Sequence, residues 1–147
     1  MFFKRVLHLG AQKILDLTQV LGVGDDIKEK IWTIMKSLLS IETGLLTNRH
    51  LDQLIMCTIY GVCKVQNIQP QITFNNIITK YADMFKNQRQ VSPIYISVVI
   101  DYEKNERKDI ISFYNEVYIK VMKEYIIATK NQSSNSDHLY SKTPIIN

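Results

Sequence analysis

Any chemistry in this chain would have to come from three histidines, two cysteines and 14 acidic residues. His8, His50 and His138 fall in three separate segments, and none belongs to an HExxH pair. A lone histidine is far more often packed or solvated than bound to metal. Cys57 and Cys63 stand six positions apart in an apolar stretch, a spacing that suits neither a zinc knuckle nor a CxxC redox pair, so buried reduced thiols are expected. There is no GxSxG elbow or GxGxxG turn, and Gly22-Val23-Gly24 lacks the rest of any phosphate loop. The sequence offers no foothold for catalysis, a metal or a cofactor. A small helical enzyme would need a pocket holding strongly perturbed acids to become the better reading.

With 147 residues, 46% of them apolar and 22% charged, the chain has the size and balance of one globular domain. No apolar run approaches the roughly 20 residues that a membrane helix needs, so no membrane association is expected. The opening MFFKRVLHLG runs on into an amphipathic pattern and reads as structure, not as a targeting segment. The net charge of +4 and pI near 9.0 favour acidic ligands. The lysines are scattered, however, and no direct nucleic-acid contact is expected.

Apolar periodicity supplies the elements. Phe3, Leu7, Ile14, Leu17 and Leu21 recur in steps of three and four, with Gly10 on the same stripe, where it would let another helix approach closely. After Gly22 and Gly24, Asp25 and Asp26 are expected to cap a second helix with the face Ile27, Ile31, Ile34, Leu38 and Ile41, while Trp32 faces a second neighbour. From Leu54 to Val65 the chain is apolar on nearly every side, the mark of a helix at the centre of a bundle. Thr73 is placed to cap a fourth helix through Phe74, Ile77, Ile78, Tyr81 and Phe85. IYISVVIDY is either a short extended piece or a helical turn. Asp109 opens a last helix whose stripe is Ile111, Tyr114, Tyr118, Val121 and Tyr125, widened by Ile110, Phe113 and Val117. Residues 131–147 are polar and unpatterned and read as a disordered tail. With no repeat and no β-hairpin expected, residues 1–130 make an all-α bundle around one central apolar helix.

The stretch NRHLDQLIMCTIYGVCKVQNI, residues 48–68, resembles the B half of the retinoblastoma-family pocket. FFKRVLHLGAQKILDL and IKEKIWTIMKSLL look like the first two helices of that half, and DIISFYNEVYIKVMK like its late helix, so residues 2–127 are covered. The resemblance implies a cyclin-like fold, a nuclear role in repressing cell-cycle transcription, and a groove for Leu-x-Cys-x-Glu peptides carried by partners such as chromatin modifiers and cyclins.

The matching groove positions are Tyr60 and Lys64 on the central helix, with Ile111, Tyr114, Asn115, Ile119 and Lys123 on the late one. Ile111, Tyr114 and Ile119 would wall the ligand's leucine, although Tyr114 and Tyr118 suit plain core packing equally well. Asn115 offers both a donor and an acceptor to an extended backbone, and is otherwise a solvated asparagine. Phe74 and Asn75, just past Thr73, would present N–H groups to the ligand's glutamate. Lys64 and Lys123 would favour acidic residues flanking the motif.

Two departures from the family stand out. Asn75 replaces a lysine common in relatives, and QNIQPQITF is about two residues longer than its counterpart, which weakens electrostatic help for the peptide. Nothing in the chain corresponds to the A half, so the apolar surface that meets it in the family is expected to be exposed, which predicts association with another chain, such as an A-type pocket half, or else an incomplete protein. The family's site for winged-helix transcription factors lies between the halves, so that partner is put in question. Thr143-Pro144 and Ser92-Pro93 are minimal sites for a proline-directed kinase, Thr143 being the more accessible. The competing function is a kinase-activating subunit of the same cyclin-like fold, which fold alone does not separate from a docking module.

Overall fold

The computed structural model describes residues 2–88 and 91–130. Residues 131–147, with the expected tail and Thr143, lie outside them. The architecture is an all-α, cyclin-like bundle carrying one small β-hairpin. Helix α1 (Phe2–Leu21) ends where Gly22 turns into the left-handed region at φ 76°, which a side chain would resist. Helix α2 (Asp25–Ser40) buries Ile27, Ile31, Ile34 and Leu38 as expected. Two expectations for it fail. Gly24 is the N-cap, and Asp25 and Asp26 are the first two residues of the helix, where they favour the positive end of the dipole without capping it. Ile41 is 63% exposed, because the helix stops at Ser40 and a short 3-10 turn (Thr43–Leu46) follows.

Helix α3 (Leu51–Val65) is the axle of the bundle. It is buried without a break from Asp52 to Ile59, and α1 and α2 pack on it. Its N-terminus is a capping box with an unusual member: the His50 Nδ1 accepts the Asp52 N–H while the Gln53 side chain accepts the His50 N–H. The expected use of Gly10 is seen at the α1–α3 crossing, where a Cβ would sit 3.4 Å from Leu51 and 3.8 Å from Ile55. Helix α4 (Phe74–Met84) begins at Thr73, whose hydroxyl accepts the Asn76 N–H as predicted.

The ambiguous IYISVVIDY holds both alternatives. Helix α5 (Ser92–Ile96) is followed by strand β1 (Val98–Asp101), which pairs antiparallel with β2 (Glu106–Lys108), a hairpin the sequence reading did not expect. It closes without glycine: Asn105 takes φ 54°, the Asp101 side chain accepts the Lys104 N–H, and a bulge absorbs Ile100. Arg49 fixes it to the bundle, donating to the Val99 and Ile100 carbonyls while its guanidinium lies 4.7 Å over the Phe113 ring.

The chain then forms one long rod: α6 (Ile110–Phe113), a π turn (Tyr114–Tyr118) and α7 (Ile119–Lys130), with Asp109 capping its start as expected. Here the predicted stripe is corrected. Tyr114 and Tyr118 are buried, but Ile111 and Val121 are 37% and 38% exposed, and Met122 and Ile126 take the inward places instead. The π turn shifts the register by a residue, which a constant 3.6-residue period does not anticipate.

Candidate functional site

The C-terminal half of α3, the start of α4 and the π turn converge on an aromatic cluster. The Tyr60 ring centroid lies 4.7 Å from Phe74 and 5.0 Å from Tyr114, the latter edge-on, and Phe74 and Tyr114 are 5.8 Å apart. Such tilted and T-shaped pairs add about 0.5–1.5 kcal/mol each to the area they bury. Gly61 lets the late helix come this close: a Cβ there would meet Ile126 Cδ1 at 2.8 Å and the Tyr114 hydroxyl at 3.4 Å. Burial pushes the Tyr114 phenol well above its ordinary pKa, with Tyr60 and Cys57 acting in the same direction, so it remains neutral in the cluster.

Of the predicted residues, Tyr60, Phe74 and Tyr114 are thus brought together from three elements. Tyr60 is half-buried, whereas Phe74 and Tyr114 retain only 6% and 5% exposure, so most of both rings belongs to the core. Lys64, one turn beyond Tyr60, is exposed and holds its ammonium 5.7 Å over the Tyr60 ring. Because Thr73 takes the Asn76 N–H, the Phe74 and Asn75 N–H groups are the two at the helix start with no intrahelical acceptor. The Asn75 side chain is exposed beside them. On the late helix, Ile111, Asn115 and Lys123 are exposed and Ile119 half-buried, a row four residues apart beside the buried stripe.

The sequence reading missed two residues of this region. Gly61 sits in a strong helical pattern, and a glycine in a buried helix interior is itself a signal of close approach. Thr58, wholly buried, shares a 2.6 Å hydrogen bond with the Tyr118 hydroxyl, and nothing in its neighbours marks it out.

Among the described residues, two clefts lie away from this cluster. One of about 460 Å³ between α1 and α2 is lined by Ala11, Ile14, Leu15 and Trp32, which gives Trp32 its second neighbour. The other, of about 220 Å³, lies between the end of α1, Pro70 and Lys80. Neither contains a residue of the aromatic cluster. Among the described residues no group of histidine, cysteine and acidic side chains can hold a metal ion, and no helix is long and apolar enough to cross a membrane.

A family model described as the retinoblastoma-associated protein B domain matches residues 1–123. Relatives include retinoblastoma-related protein 3 of Zea mays, 33% identical over 135 residues that take in 86% of this chain and 13% of that protein. The retinoblastoma-related protein of Cocos nucifera is 34% identical over 152 residues, 92% of this chain and 14% of its own. Retinoblastoma-like protein 1 of Rattus norvegicus is 31% identical over 178 residues, 99% of this chain and 16% of its own. The chain therefore corresponds to a small fraction of each relative's length.

Proposed function

This chain belongs to the retinoblastoma B-domain family, and from that premise we propose that it is a non-catalytic docking module for Leu-x-Cys-x-Glu peptides, working within a nuclear regulator that represses cell-cycle transcription. The peptide lies between α3 and the late helix. Ile111 and Ile119, with the exposed edge of Tyr60, receive its leucine. Asn115 bonds its backbone, and the Phe74 and Asn75 N–H groups take its glutamate. Lys64 and Lys123 attract acidic flanks in a salt-dependent way.

The observation that carries this reading is the exposed Asn115, next in sequence to Tyr114 of the Tyr60–Phe74–Tyr114 cluster, whose Phe74 opens a helix with its first two N–H groups unclaimed within it. An extended peptide needs both an apolar seat and a side chain able to donate and accept along its backbone. A carboxylate at a helix start gains charge-assisted bonds of about 1.5–3 kcal/mol. Exposed Leu9 and Val20 on α1 support a further contact with an A-type pocket half or a winged-helix factor.

Titration of a fluorescent Leu-x-Cys-x-Glu peptide into the chain, beside one with the three fixed residues changed to alanine, tests the proposal. The expected Kd is micromolar or tighter, about −8 kcal/mol, with loss in the control. A folded chain that binds neither peptide refutes the groove.

A further inference from the structure

The row of Ile111, Asn115, Ile119 and Lys123 presents a geometric problem. In a continuous α-helix each step of four residues advances about 40° around the axis, so Lys123 would stand about 120° from Ile111, well out of line. A straight row at four-residue spacing needs a correction of about that size. The π turn supplies it: the Ile119 N–H donates to the Tyr114 carbonyl, five residues back, and the extra residue so absorbed winds the rod back by about 100°. The same correction keeps Ile110, Tyr114, Tyr118, Met122 and Ile126 on the inward face. Asn115 lies within the turn itself.

A π turn has poorer packing along its axis than an α-helix and persists where its surroundings over-determine it. The surroundings here come from α3. The Thr58 hydroxyl lies 2.8 Å from the Leu54 carbonyl and 2.6 Å from the Tyr118 hydroxyl. A threonine hydroxyl has one proton, and a carbonyl can only accept. Thr58 therefore donates to Leu54, and Tyr118 must donate to Thr58. Burial raises the Tyr118 phenol well above its ordinary pKa, so that proton is present at any physiological pH. Tyr118 also stacks on Tyr114, 5.5 Å away and 24° from parallel, and Tyr114 fits the notch left by Gly61. Both ends of the π turn are thus held by the same two turns of α3.

We propose that Thr58 is a positioning residue for the groove: through Tyr118 it holds the π turn that aligns Asn115 with Ile111, Ile119 and Lys123. It does not itself meet the peptide. The inference rests on the reading above that Asn115 does.

Thr58→Val removes the acceptor while keeping the shape of the side chain. Tyr118→Phe deletes the same hydrogen bond without stranding a hydroxyl and serves if the first variant folds poorly. Hydrogen exchange of the amides of residues 115–119 in the free chain is expected to quicken about tenfold or more in either variant, while residues 52–57 of α3 are unchanged. Peptide affinity is expected to fall about tenfold. Asn115→Ala, which weakens the parent, is expected to add little on top of either change. Unaltered exchange at 115–119, or full additivity with Asn115→Ala, overturns the proposal. If the parent chain binds no peptide, the groove fails, and the exchange data alone decide whether Thr58 holds the π turn.

Discussion

Asp52→Asn tests how the bundle is tied together away from the groove. Asp52 is 4% exposed in the first turn of α3, and its carboxylate joins three helices. Lys13 of α1 reaches both oxygens, at 2.8 and 3.1 Å, and the Tyr81 hydroxyl of α4 donates to Oδ2. Burial and the Asp52 carboxylate hold the Tyr81 phenol far above its ordinary pKa, so it is a permanent donor. In the asparagine variant the Tyr81 bond becomes neutral, a loss of about 1 kcal/mol. Lys13 has 36% of its side chain exposed and retreats to water, so losing its partner costs no more than about 1 kcal/mol. The new amide brings donors into a site built around an acceptor, and one left unpaired costs about 1–3 kcal/mol. Relief from desolvating a carboxylate offsets part of this. The net expectation is a loss of about 2–3 kcal/mol, read as a lower urea midpoint at unchanged slope. Tyr60 lies eight residues along α3 from Asp52, about 12 Å at 1.5 Å per residue, so peptide affinity in the still-folded variant should stay within about twofold. A variant within about 0.5 kcal/mol of the parent would refute the claim that this carboxylate ties α1, α3 and α4 together.

Four further expectations follow from buried groups and from the cap of α3. Burial lifts the Cys63 thiol from its ordinary value of 9.0 to about 11. A raised folded pKa contributes stability that is complete below the unfolded value and lost as pH rises through the folded one. About 2–3 kcal/mol should therefore disappear between pH 9 and 11, with Cys57 and Tyr81 acting in the same direction; a urea midpoint constant across that range contradicts it. Cys57→Ser places a hydroxyl in a wholly buried site and should cost about 1–2 kcal/mol by thermal melting, whereas equal stability would mean that the hydroxyl finds a partner. Gly61→Val should cost about 1–3 kcal/mol despite better helix propensity, because Ile126 and Tyr114 occupy the space; a gain in Tm would show that they yield. His50→Ala should cost about 1 kcal/mol in denaturant by removing the side-chain acceptor that caps α3, and no change would make that cap ornamental.

The legible parts of the fold were those in which one short segment carries its own instruction. An apolar run too long and too uniform for a surface helix put α3 at the centre. Thr73 and Asp109 marked helix starts because a short polar side chain ahead of an apolar periodicity satisfies N–H groups only two or three residues away. The hairpin was hidden for the opposite reason. Its strands are four and three residues long, its turn has Asn105 where a glycine would have signalled it, and Arg49, which holds it, lies 50 positions from Val99. No window around VVID contains the group that anchors it.

The proposed site was hidden in a different sense. A groove wall and a core stripe on one helix look alike in sequence, since both are apolar at three- and four-residue spacing, and only the neighbours decide which side faces a ligand. The resemblance to the pocket family separated Ile111, Asn115, Ile119 and Lys123 from Tyr118, where periodicity alone had placed Ile111 and Val121 in the core. The register change that separates them physically arises at Tyr114–Tyr118, where five residues of ordinary helical composition depart from the α geometry because α3 supplies Thr58 on one side and a missing side chain at Gly61 on the other. The instruction for the shape of one helix is thus written in another, about 60 positions earlier, and it becomes readable only once the two are packed.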